Sequence, residues 1–193
     1  MRRMRSLAAL LASTIVLAGC GGGEPPPYDP VAPGSAKAVA APERSLVGAP
    51  PALRRLYAEE DRLLEGGPDA FRARLRELRG QPVVVNKWAS WCPPCRAEFP
   101  FFRSQAARRA SKVAFLGVNS MDAKEDAAAF LRRQPVGYPS YLDPDLEVAR
   151  VFRGVAAFPT TAFYDRRGKL SYLKQGGYAT EEKLAEDIER YTG

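Results

Sequence analysis

Two cysteines, Cys92 and Cys95, are the residues of this chain best suited to covalent chemistry. They stand in the run Trp91-Cys92-Pro93-Pro94-Cys95. A Cys-x-x-Cys pair can close on itself as a disulfide and can exchange two electrons with another disulfide. The chain holds no histidine. That removes Ser-His-Asp and Cys-His nucleophile pairs, imidazole-built zinc sites, a histidine general base and His-ligated haem. A structural zinc site would need two more Cys or His ligands, which the chain does not supply. A haem-attachment motif needs His after the second cysteine, where Arg96 stands. A purely structural disulfide remains an alternative in an oxidising compartment, although a bridge closing so short a loop removes little chain entropy.

The elements around the pair decide what its sulfurs can do. Val83-Val84-Val85, followed by Asn86, Lys87 and Trp88, reads as a buried strand, and a helix is predicted over 93–109. The pair therefore sits where a strand hands over to a helix. A thiol at a helix N-terminus meets the positive end of the macrodipole and free backbone N–H groups, and both favour the thiolate. Pro93 and Pro94 fit the first helical positions, where a missing N–H costs nothing. They leave the N–H groups of Cys95 and Arg96 as donors. Cys92 is expected to be the attacking, partly exposed sulfur, with Cys95, one turn inside, resolving the mixed disulfide.

The rest of the chain must hold that junction. Leu53, Leu56, Tyr57, Leu63 and Leu64 recur at helical spacing, and Gly66-Gly67-Pro68 ends the run. Phe71, Leu75 and Leu78 form a second stripe, stopped by Gly80 and Pro82. Residues 52–79 thus read as two charged amphipathic helices. Val113 to Val118 is a second apolar strand, and 124–133 is helical. Tyr138 to Leu142 reads as a short strand and Asp145 to Phe152 as a short helix. Thr160 to Tyr164 and Leu170 to Lys174, separated by Asp165-Arg166-Arg167-Gly168-Lys169, read as a β-hairpin. A closing helix is expected over 180–191. This order predicts an α/β domain with a mixed central sheet and helices on both faces.

The first residues read as an address. Three arginines in residues 1–6 precede an uncharged apolar run over 7–18, the layout of a secretory signal, and that run is too short to span a membrane alone. It ends in Leu17-Ala18-Gly19-Cys20, which looks like a bacterial lipobox. On this reading 1–19 is a lipoprotein signal, Cys20 becomes the lipidated N-terminus, and the mature protein is extracytoplasmic and anchored to the cell membrane. Cleavage removes Arg2, Arg3 and Arg5 and no acid, so the formal charge falls from +7 to +4. Much of the basicity is then targeting, and no nucleic-acid partner is expected. Residues 21–51 hold eight of the 17 prolines and five of the 16 glycines. That composition assigns 20–51 to the lipidated cysteine and an extended tether, and 52–193 to the folded domain. At 46% hydrophobic and 26% charged residues, the chain is too apolar for wholesale disorder.

With these residues in place, a family resemblance becomes specific. The segment Val83–Pro100 (VVVNKWASWCPPCRAEFP) resembles the active-site segment of the TlpA/ResA-type extracytoplasmic thioredoxin-like disulfide oxidoreductases. Tyr138-Pro139, Leu142-Asp143, the run Gly154 to Thr161, and Phe163 to Leu170 resemble the same family in order and spacing, over about residues 80–193. The resemblance implies a thioredoxin-like fold. It makes Cys92 the nucleophile, Cys95 the resolving thiol and Pro159 a cis-proline lying against the pair. Thr160 follows that proline as the family usually has, and the backbone of Phe158 is implied to pair with an extended substrate segment. Trp91, Pro93, Pro94, Phe158, Pro159 and Thr160 make up the implied substrate surface, with Trp88 and Trp91 packing around the site. Glu98 matches a carboxylate often found near the pair. One helical turn separates it from Cys95, so it can raise the thiol pKa values and take the proton of Cys95. Asn86 stands where many thioredoxins have a buried aspartate. Lys87 stands where an aromatic is common and is expected to add positive potential near the site. The helical stretch 52–79 departs from the β-hairpin with which the family often opens.

The reading is a lipid-anchored thiol–disulfide oxidoreductase, monomeric, that reduces disulfides of envelope proteins. Apocytochromes or their maturation partners are the substrates the resemblance suggests. A membrane electron donor of the thiol–disulfide relay type would restore the dithiol. No cofactor beyond the Cys92–Cys95 disulfide, and no metal, is expected. The alternatives are a disulfide-forming oxidase of the same fold, a copper- or thiol-binding chaperone holding a soft Cu(I) ion, and a non-enzymatic envelope scaffold using 52–79. A peroxiredoxin is disfavoured because Pro-x-x-x-Thr/Ser-x-x-Cys is absent around Cys92.

Overall fold

Alternation in the strand Val83–Trp88 (β2) organises the domain. Neighbouring residues of a strand point to opposite faces of the sheet. All six residues of β2 are nonetheless buried, so both faces must be covered. The computed structural model, which describes residues 43–193, shows how. Cys20, the expected signal and most of the expected tether lie outside the described residues. β2 pairs in parallel with Ala114–Ser120 (β3), which pairs in parallel with Ser140–Asp143 (β4). On its other side β2 pairs antiparallel with Thr160–Tyr164 (β5), the first arm of a hairpin with Leu170–Gln175 (β6). A two-residue strand, Leu63–Leu64 (β1), adds to β4 in parallel. The mixed six-stranded sheet runs β1-β4-β3-β2-β5-β6. It is the α/β, thioredoxin-like fold expected.

Adjacent residues of β4 show the two layers. Ser140 Oγ accepts the indole N–H of Trp88 at 3.2 Å, and the Trp88 ring packs on Phe99 and Phe130. Those phenylalanines belong to Pro93–Arg109 (α3) and Lys124–Arg133 (α4), which cover that face. Glu181–Tyr191 (α6) packs beside α3. Tyr141 points the other way, edge-on to Phe71 of Gly67–Glu77 (α2), and Phe71 also meets Phe152 behind Glu147–Val151 (α5). Gly117 is required where the Trp88 indole crosses β3. A Cβ there would lie 2.0 Å from Ser140 Oγ and 3.0 Å from the indole nitrogen. The hairpin turn is built by Asp165, whose carboxylate accepts the N–H groups of Arg167 and Lys169, with Gly168 at positive φ.

Two expectations are corrected. Leu63 and Leu64 continue no helix. Pro51–Tyr57 (α1) stops, and Asp61 adopts the left-handed conformation at φ 57°. The Asp61 carboxylate accepts the N–H groups of Val136 and Gly137 at 2.6 and 2.8 Å, which lays 63–64 along β4. Sheet pairing there overrides the helical spacing of the leucines. The folded region also begins earlier than residue 52. Arg44 pairs with Glu60, donates to the carbonyl of Gly137 and lies over the Tyr57 ring, while Ala49 is buried. The Pro/Gly content of 43–51 conceals a docked segment. Among the described residues no helix is long and apolar enough to cross a membrane.

Leu53, Leu56, Tyr57, Phe71 and Leu78 are all buried, so the N-terminal helices share the core of the sheet. Phe71→Ala is expected to cost about 3–5 kcal/mol in urea denaturation. A cost under about 1 kcal/mol would mean that α2 is a separable appendage.

Candidate active site

At the C-terminal end of β2 the chain turns through Ala89, Ser90 and Trp91 into α3. The turn is held from the side by Asp122. Its carboxylate accepts the Ser90 N–H at 2.6 Å, the Ser90 hydroxyl at 2.7 Å and the Asn119 side-chain amide at 2.7 Å. Trp91 Nε1 donates to the carbonyl of Met121 at 2.9 Å. Sequence reasoning missed Asn119 and Asp122. Nothing in the polar run from Asn119, near the end of β3, to Asp122 beyond it distinguishes them from a solvated loop.

Cys92 occupies the N-cap of α3 and Pro93 and Pro94 its exposed first turn. Cys92 and Cys95 are joined by a disulfide, with their Cα atoms 5.3 Å apart. Cys92 Sγ accepts the N–H of Cys95 at 3.2 Å. The Arg96 N–H is not a second donor to the sulfur: it bonds the carbonyl of Cys92 at 3.1 Å as the first full helical bond. Cys92 is also less open than expected, at 2% exposure. Its sulfur turns inward to the helix end, toward its disulfide partner and the Cys95 N–H.

Glu98 is fully buried. Its Oε1 accepts the side-chain N–H of Asn86 at 2.8 Å, and its Oε2 accepts the backbone N–H of Tyr178 at 3.0 Å. Burial raises its pKa from 4.5 to about 7, against the lowering effect of those two hydrogen bonds and of the Lys174 charge. Gly177 marks where the parts converge. A Cβ built there would lie 3.6 Å from Glu98 Oε2, 3.6 Å from Pro159 Cγ and 3.7 Å from Pro94 Cβ. The carboxylate, the proline of the β5 loop and the first turn of α3 therefore meet at one point.

The Phe158–Pro159 peptide is cis. Pro159 is buried and its carbonyl accepts the N–H of Gly176 at 2.9 Å. Thr160 Oγ1 donates to the carbonyl of Ala157 at 2.7 Å, fixing the loop before it. The Phe158 ring stands 5.1 Å from the Trp91 ring. Trp88 is buried in the core, whereas Trp91 is 53% exposed. Lys87, expected to lend potential to the site, is enclosed beneath Phe158, with Nζ 3.8 Å from the ring centre. Among the described residues no group of three or more His, Cys, Asp or Glu side chains is placed to hold a metal.

A cysteine pair at the N-terminus of a helix entered from the central strand of a mixed sheet, beside a cis-proline, defines a thioredoxin-like protein. The AhpC/TSA family model matches residues 68–173, a stretch that includes Cys92, Cys95, Glu98 and Pro159. The chain belongs to this AhpC/TSA family and is of the TlpA/ResA thioredoxin-like type. It is 33% identical over 106 residues to the thiol-disulfide oxidoreductase ResA of Bacillus subtilis, covering 54% of this chain and 59% of that one. It is 29% identical over 116 residues to ResA of Halalkalibacterium halodurans, covering 60% and 65%. The chain thus spans about six tenths of the length of these curated relatives. Among solved structures, dsbF of MTB matches with 30% identity and a TM-score of 0.56, over 61% of this chain and 85% of that one. A DsbF homologue from Corynebacterium diphtheriae matches with 26% identity and a TM-score of 0.56, over 60% and 75%.

The raised Glu98 pKa has a measurable sign. Between pH 4.5 and about 7 the folded state keeps the Glu98 proton while the unfolded chain releases it. The stability this group contributes is full below the unfolded pKa and is lost as pH rises through the folded one. Relative to Glu98→Gln, the wild type is expected to lose on the order of 3 kcal/mol between pH 4 and 8, read from urea midpoints. Parallel pH curves for the two proteins would contradict a buried, proton-holding carboxyl.

Proposed function

We propose that the protein is a thiol–disulfide oxidoreductase that reduces disulfides of proteins in the cell envelope. The observation that carries the reading is the Cys92–Cys95 disulfide at the head of α3, with the Glu98 carboxylate buried one turn further in. In the dithiol form, the Cys92 thiolate attacks a client disulfide. One client sulfur leaves as thiolate, and a Cys92–client disulfide forms. Cys95 passes its proton to Glu98, and its thiolate attacks Cys92 Sγ, expelling the second client thiolate. The client gains two electrons and the pair closes as the disulfide. A dithiol donor at the membrane then reopens it. Trp91, Pro93, Pro94, Phe158, Pro159 and Thr160 form the surface on which an extended client segment lies. The backbone of Phe158 pairs with that segment as a strand edge would. Lipidation of Cys20 would hold the domain at the membrane on the extracytoplasmic side.

Charge balance supports the reductive direction. One N–H reaches Cys92 Sγ, and the buried carboxylate opposes a thiolate on either sulfur. A pair whose thiolate is weakly stabilised is a reductant, because strong oxidants owe their potential to a stabilised reduced form. The potential is expected near the thioredoxin value of about −270 mV, and a value near −120 mV would make the protein an oxidase instead. The mechanism itself is tested with Cys95→Ser expressed in the native cells. Covalent adducts that dissolve on reduction and disappear in a Cys92→Ser, Cys95→Ser double variant are expected. If no Cys92-dependent adduct can be recovered, the exchange mechanism fails.

A further inference from the structure

Lys87 is a feature near the pair that neither the exchange chemistry nor the packing of the sheet accounts for. Its side chain is fully buried, and among the described residues no hydrogen-bond acceptor reaches Nζ. A buried ammonium without an acceptor is costly, and burial lowers its pKa from 10.5 to about 8. The Asp143 charge acts on it in the opposite sense but does not outweigh burial. The Asp143 carboxylate is occupied by the Ser120 hydroxyl and by the N–H groups of Val148 and Ala149. Lys87 is flanked on the sheet by Val118 and Thr160, neither of which supplies an acceptor to it. What Nζ does face is an aromatic ring: the Phe158 centroid is 3.8 Å away. Phe158 in turn stands against Trp91. The ammonium is thus the buried end of a stack whose outer members immediately precede the cis-proline and the first cysteine.

We propose that Lys87 is a positioning residue that fixes Phe158 and Trp91 as a rigid aromatic platform for the client segment flanking the disulfide. This rests on the thiol–disulfide exchange reading above. A desolvated cation over an aromatic face is attracted to its quadrupole, and it holds the ring at a set height and tilt. Alternation on β2 gives the mechanism its separation. Asn86 points to the Glu98 side of the sheet and Lys87 to the opposite side. Lys87 therefore acts on where a client lies and leaves the proton handling of the sulfurs alone.

The test is Lys87→Met, which keeps an unbranched side chain as far as the ε position and removes the terminal ammonium. Two probes are compared on the full-length protein in its dithiol form: a synthetic peptide closed by one disulfide with apolar flanking residues, and the small aromatic disulfide 5,5′-dithiobis(2-nitrobenzoate). KM for the peptide is expected to rise about tenfold, with kcat and the rate on the small disulfide within about twofold of wild type. Thermal stability is expected to increase, because an enclosed, unpaired charge is gone. Since Trp88 is buried and Trp91 exposed, iodide quenching of fluorescence reports Trp91. Quenching is expected to become stronger as the stack loosens. Phe158→Leu should raise the peptide KM similarly, and adding Lys87→Met to it should cost nothing further. An unchanged peptide KM, or equal losses on both probes, would overturn the positioning role. If Lys87→Met does not fold, an unchanged KM in Phe158→Leu alone would overturn it. A wild type inert towards both disulfides would instead defeat the exchange reading itself.

Discussion

The buried carboxylate of Glu98 is the interaction on which the remaining geometry turns. It comes from α3, and its partners come from two other parts of the fold, Asn86 of β2 and the Tyr178 N–H in the loop between β6 and α6. The second partner is itself braced. Lys174 Nζ donates to the carbonyls of Gly176 and Gly177, and the Tyr178 hydroxyl donates to Asp187 on α6. A carboxylate taken out of water needs acceptor-side satisfaction from several directions, and only a closed fold supplies it. The helix that carries the cysteines, the strand that leads into them and the C-terminal hairpin are therefore locked in one relative position. Two hydrogen bonds and the Lys174 charge offset part of the desolvation, and burial still raises the Glu98 pKa to about 7.

That balance bears directly on the sulfurs. A helix N-terminus alone would favour a strongly stabilised thiolate. Here Pro93 and Pro94 remove two N–H groups, and Arg96 spends its own on the carbonyl of Cys92. What remains for the Cys92 sulfur is the Cys95 N–H and the dipole. Pro100 lies further along the same helix, so the carbonyl of Arg96 loses the intrahelical bond it would otherwise accept. The chemistry of the pair is set by this spare donor set working against a buried acid, in a chain with no imidazole to mediate between them.

Which parts of this were legible in the sequence follows from the range of the forces involved. The strand over 83–88 and the helices over 93–109 and 124–133 are written in local pattern: a β-branched run, a proline pair at a helix start and an apolar stripe. Cys92 and Cys95 were legible for the same reason, because spacing and position on the strand–helix junction are local facts. Long-range pairing was not. Leu63 and Leu64 keep helical spacing, but the strand is chosen by Asp61 bonding to residues 136 and 137. Arg44 docks a proline-rich segment by reaching Gly137 and Glu60. Asp122 binds Ser90 across 32 positions, and no run of polar residues announces such a partner. The burial of Glu98 was visible only through resemblance, since its helix position is equally compatible with a solvent-facing glutamate.

The two residues that depart from the common pattern, Asn86 and Lys87, are adjacent on β2, and adjacency on a strand means opposite faces. Asn86 gives the buried acid a neutral donor where a second carboxylate would have raised its pKa further by repulsion. Lys87 places a cation under the aromatic ring that precedes the cis-proline. Asn86 lightens the negative charge on the α3 side, while Lys87 adds a positive charge on the far side of the sheet, separated by the plane of β2 itself. The end of one strand thereby faces two parts of the site at once, the buried Glu98 carboxylate on one side of the sheet and the Phe158 and Trp91 rings on the other.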